Sequence, residues 1–98
     1  MGAETAVLSL GARGAIGAFP GGTVEVIPPR VEAVSPIGSG DALAAAFLWA
    51  MEKKSDYADA VRWGVAAGTA SAKLPGMKFA NLEETREVYN DVEVRRLT

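Results

Sequence analysis

Apolar and polar positions along this chain change period several times, and each change marks an element. Residues 5–10, TAVLSL, form a short apolar run closed by Gly11. Such a run, without polar alternation, predicts a strand covered on both faces, as in the middle of a parallel sheet. Residues 15–19 and 23–27 mix small and apolar residues around Pro20-Gly21-Gly22, the pattern of a β-hairpin with a tight turn. Pro28-Pro29 ends the second strand, because proline has no N–H to give to a ladder, and RVEAV (30–34) continues as an extended connection.

Helical spacing begins after that connection. Residues 42–51, ALAAAFLWAM, carry no charge, so a helix over 41–53 has no obvious solvent face and is expected to be the central one. A second helix is expected over 56–73, capped by Ser55, with Asp56 and Asp59 in its first turn where the helix dipole favours acids. Along it Ala60, Gly64 and Gly68 share one face at four-residue spacing. A glycine inside a helix costs about 1 kcal/mol relative to alanine. Either a neighbouring helix or a flat ligand therefore approaches that face closely. Leu74-Pro75-Gly76 breaks the chain, Asn81 can cap a short helix at 82–89, and VEVRRLT (92–98) closes as an extended or frayed tail.

Composition narrows the chemistry. With 98 residues, 49% of them apolar, the chain is one domain at most and buries a modest core. Ten Lys and Arg against twelve Asp and Glu leave a net charge of -2, which argues against nucleic acid as a partner. Cysteine and histidine are absent, so catalysis would rest on carboxylates, hydroxyls, amines or backbone amides, the usual zinc ligands are missing, and no residue is singled out as a metal ligand. Met1-Gly2-Ala3-Glu4-Thr5 lacks the basic and then apolar layout of a secretory signal, and no apolar run reaches membrane-spanning length. No membrane partner and a cytoplasmic location are the expectations.

The stretch Gly38-Ser39-Gly40-Asp41 opens the first helix. Its glycines permit unusual dihedrals and leave N–H groups accessible at a helix terminus, a place that attracts phosphate. Asp41 puts a negative charge in the same spot. It either complements the helix dipole, worth about 0.3–1 kcal/mol, or has a chemical role beside a bound anion. A dinucleotide fingerprint does not fit, since Leu43 occupies its third glycine position, and no Gly-Lys-Ser/Thr is present for a Walker motif.

Taken in order, SLGARG (9–14), the hairpin, SPIGSGDALAAAFLWAM (35–51) and the Ala/Gly-rich helix ending near LPG (74–76) resemble the carboxy-terminal part of the PfkB family of carbohydrate kinases. The resemblance implies an α/β chain: part of a ribokinase-like fold, with a strand and β-hairpin followed by two main helices and a short third. It implies ATP-dependent phosphoryl transfer to a sugar hydroxyl, with Asp41 as general base and the amides of Gly38, Ser39 and Gly40 as anion hole. Ser9, Gly11 and Gly14 match the loop bordering the nucleotide phosphates, and Ala67, Gly68 and Ser71 the helix beside the adenine. Many family members carry Asp-Thr before the glycine motif, where this chain has Ser35-Pro36-Ile37, so a monovalent cation site does not carry over. Ser-Pro-Ile-Gly-Ser-Gly-Asp is more similar to the branch acting on fructose 1-phosphate and tagatose 6-phosphate. The family's sugar pocket, lid and acidic motif that organises Mg2+ lie in an amino-terminal part outside the resemblance. The chain therefore reads as the nucleotide-side fragment of a sugar or sugar-phosphate kinase, inactive alone and expected to self-associate through its apolar strand and helix. The alternatives are a non-catalytic module that binds a nucleotide or another anion, and a purely structural or interaction fragment.

Overall fold

The computed structural model describes residues 5–32, 39–75 and 79–98. Strand β1 (Ala6–Ser9) leads through a single 3-10 turn (Gly11–Arg13) into the hairpin β2 (Ala15–Phe19) and β3 (Gly22–Ile27). Helices α1 (Ser39–Glu52), α2 (Tyr57–Ala72) and α3 (Leu82–Tyr89) follow, and β4 (Glu93–Arg96) closes the chain. The sheet runs β1-β2-β3-β4 with every pairing antiparallel.

This corrects the expectation of a parallel setting for the first strand. Only five residues join β1 to β2, and a parallel crossover needs a dozen or more. Among the described residues β1 is an edge strand, with Leu8 61% exposed. The hairpin formed as expected, with Phe19 opposite Gly22. Gly22 has φ 144°, and a Cβ there would lie 2.8 Å from both Arg96 Nη2 and the Thr98 carbonyl oxygen. That close approach seats the carboxy-terminal residues beside the hairpin turn: Leu97 donates to the Thr23 carbonyl at 2.8 Å and Arg96 Nη2 to the Gly21 carbonyl at 2.5 Å. The tail is thus extended and paired rather than frayed.

One face of the sheet packs on α2. Ala15, Val24 and Val26 point inward and meet Val61, Val65 and Ala66, the alternation that a half-covered antiparallel sheet requires. Gly17 lets α2 come close, because a Cβ there would stand 3.1 Å from Val61 Cγ2. Helix α2, not α1, is therefore the central helix. It touches the sheet, α1 and α3, whereas α1 packs chiefly on α2 and leaves Leu48 63% exposed. An uncharged sequence shows that a helix tolerates burial on all sides, not that partners surround it.

The helix ends follow their capping chemistry. Asp56, rather than Ser55, caps α2, its carboxylate accepting from the Asp59 N–H at 2.8 Å. Asn81 caps α3 in a reciprocal box with Glu84. Tyr89 fastens α3 to α2: its ring stacks on Trp63 with centroids 4.0 Å apart, its hydroxyl donates to Asp59, and its carbonyl accepts from Arg62 Nε at 3.1 Å. Burial, then the hydrogen bond to Asp59 and the Asp59 charge, push the Tyr89 phenol up, against the opposing pull of Arg62. No helix among the described residues is long and apolar enough to cross a membrane.

Candidate functional site

The turn after β1 builds one side of a cleft. Leu10 donates to the Gly14 carbonyl at 2.7 Å and Gly14 to the Gly11 carbonyl at 3.0 Å, closing a tight loop around Gly11, Ala12 and Arg13. Gly11 and Gly14 have φ of 63° and 100°, a region that L side chains adopt only under strain. At Gly14 a Cβ would also collide with the Val26 carbonyl and stand 2.8 Å from Pro28 Cδ. The missing side chain lets Pro28 lie against the loop, and Pro29, Arg30 and Val31 follow it as the second side.

The third side is helical. Val65, Gly68, Thr69 and Ala72 of α2 line the cleft together with Leu43 of α1. The enclosed volume is about 300 Å³, at the lower end of the range for small-molecule pockets. It has room for a base and its sugar, with longer groups extending outward. The lining is mostly apolar and small, and the hydroxyls of Ser9 and Thr69 and the guanidinium of Arg30 are its polar side chains.

The repeating face of α2 meets α1 at one glycine and the cleft at another. At Gly64 the reason is packing, since a Cβ would lie 2.9 Å from the Leu43 carbonyl oxygen. Gly68, one turn on, lies at the cleft instead.

The structure brings Ser9, Gly11, Gly14 and Gly68 together at this cleft. Ala67 and Ser71 face a second groove of about 300 Å³ between α1 and the start of α3, beside Trp49, Trp63 and Phe79. Ser71 is buried there, its hydroxyl accepting from the Ala80 N–H at 2.9 Å. Asp41 is exposed in the first turn of α1, two residues before Leu43. Gly40 is helical and makes no use of the dihedral freedom that glycine permits, and a Cβ there would meet nothing within 4 Å. Gly38 and Ser35-Pro36-Ile37 lie outside the described residues. Sequence reasoning did not single out Arg30, Val31 or Thr69. The proline pair before Arg30 and the four-residue step from Val65 to Thr69 were the available signals. No three acidic side chains converge among the described residues.

Comparison with known proteins identifies the family. The description of the pfkB family of carbohydrate kinases matches residues 1–84. The ATP-dependent 6-phosphofructokinase isozyme 2 of Escherichia coli is 32% identical over 87 residues, covering 89% of this chain and 28% of that protein. A 1-phosphofructokinase of Borreliella burgdorferi is 39% identical over 74 residues, covering 72% of this chain and 24% of that protein. Among solved structures, phosphofructokinase-2 of Escherichia coli in complex with potassium superposes with a TM-score of 0.85 at 31% identity, over 89% of this chain and 28% of that one. The chain thus spans about a quarter of the length of these relatives.

Proposed function

The chain belongs to the pfkB family of carbohydrate kinases, and from that premise we propose that it is the nucleotide-binding part of an ATP-dependent sugar-phosphate kinase. The observation that carries the reading is the cleft in which the glycine loop after β1 faces Gly68 of α2, with α1 reaching it through Leu43. A flat base suits the small residues of α2, and a loop with two positive-φ glycines suits close approach of phosphate to backbone. The names of the relatives point to fructose phosphates as acceptors.

In the proposed reaction Asp41 accepts the proton of the acceptor hydroxyl as its oxygen bonds to the γ-phosphorus of ATP. The bond from that phosphorus to the β–γ bridging oxygen breaks, and ADP leaves. The N–H groups of Ser39 and Gly40 at the start of α1, with that of Gly38 outside the described residues, offset the charge developing on the transferred phosphoryl group. Ser9, Gly11 and Gly14 border the phosphates and Gly68 the base. Ala67 and Ser71 support the same helix from its other face. Mg2+, when bound to ATP, neutralises phosphate charge.

The 98-residue chain, which spans about a quarter of the length of its relatives, is proposed to bind nucleotide without turning over sugar by itself. Its uncharged edge β1 and the exposed Leu48 and Trp49 of α1 favour self-association. Sedimentation equilibrium beside a coupled ADP assay with fructose 6-phosphate, fructose 1-phosphate and tagatose 6-phosphate tests these points. A monomer that phosphorylates a sugar unaided would contradict them.

A further inference from the structure

Arg30 is the single charged residue among those lining the cleft, in a chain whose net charge is -2. Its position is built rather than incidental. Pro28 and Pro29 fix the backbone before it, and Pro28 lies against Gly14 where no side chain could fit. Arg30 is exposed, and among the described residues its guanidinium is in no ion pair. The remaining lining is apolar or hydroxylic, so a polyanion entering here meets one cation.

We propose that Arg30 is a positioning residue for the nucleotide, its guanidinium pairing with the phosphate chain as that chain leaves the cleft. The proposal rests on the nucleotide reading of the cleft and adds a contact that the glycine loop does not supply. A guanidinium presents parallel N–H donors that match two phosphate oxygens, whereas an ammonium offers a point charge. Arg30 therefore adds affinity for the phosphates and none for the nucleoside.

Calorimetric titration of the chain and of Arg30→Ala and Arg30→Lys with ATP, ADP and adenosine tests this. Arg30→Ala is expected to weaken ATP and ADP about tenfold, the scale of one hydrogen-bonded charge. Adenosine affinity stays unchanged, and Arg30→Lys recovers part of the loss. Equal ATP affinity in Arg30→Ala would overturn the proposal. So would a parallel loss for ATP and adenosine, which would put the guanidinium on the base or give it a purely structural part. A parent chain that binds neither ATP nor adenosine would overturn the nucleotide reading itself, and this proposal with it.

Discussion

The Gly64 backbone approaches Leu43 so closely that a Cβ at position 64 would stand 2.9 Å from the Leu43 carbonyl oxygen and 3.2 Å from its Cγ. Leu43 in turn lines the cleft, two residues after Asp41. The α1–α2 contact therefore sets where the candidate base stands relative to the candidate nucleotide wall.

Gly64→Ala presses a methyl group against backbone that cannot rotate away. Overpacking costs about 1–3 kcal/mol, and exchanging a helix-interior glycine for alanine returns about 1 kcal/mol. A net loss of about 1 kcal/mol in urea unfolding is expected, with weaker ATP binding as Leu43 shifts. Unchanged stability and affinity would mean that α1 moves freely against α2.

Gly11 and Gly14 separate backbone strain from collision. At Gly11 an added Cβ meets nothing within 4 Å, so Gly11→Ala should lose only the left-handed penalty, about 1–2 kcal/mol. Gly14→Ala meets the Val26 carbonyl and Pro28 as well and should be clearly the more destabilising. It should also displace residues 28–31 and lower ATP affinity more than Gly11→Ala does. Thermal melts and ATP titration of the two variants check the order.

Asp41→Asn keeps shape and removes the proton acceptor. In a polypeptide carrying the complete kinase fold, turnover should fall about 10²–10⁴-fold while nucleotide affinity holds. Near-normal turnover would leave Asp41 as a helix-dipole partner only.

Tyr89 makes stability depend on alkaline pH. Its phenol is held above its ordinary value of 10.0 by burial and by its hydrogen bond to Asp59. Folding therefore favours the protonated form: the contribution is fully present below pH 10.0 and is lost as pH rises through the higher folded value. Tyr89→Phe should lose about 1 kcal/mol at neutral pH and show a flatter decline in alkali. Chemical denaturation across that range measures both.

The parts of the fold legible in sequence were those governed by local chemistry. The hairpin around Pro20-Gly21-Gly22, the Asn81 cap and the extents of α1 and α2 all follow from turn residues, caps and periodicity. Whatever depended on neighbours was not legible. The apolar content of β1 and α1 could not reveal that, among the described residues, one is an edge strand and the other packs chiefly on α2. At the site, the glycines of 9–14 and Gly68 met at one cleft, while Ala67 and Ser71 turned to the opposite groove because a helix rotates by a turn every 3.6 residues. Arg30 escaped notice because only tertiary packing of Pro28 on Gly14 carries it to the cleft.

The most direct test of a nucleotide cleft between the glycine loop and α2 is the backbone amide spectrum of the isotope-labelled chain, followed as ATP is added. The largest shifts are expected at Gly11, Gly14, Val31, Gly68 and Thr69, which line that cleft. Shifts centred on Ala46, Phe79 and Thr85 of the second groove, or none at saturating ATP, would contradict the account.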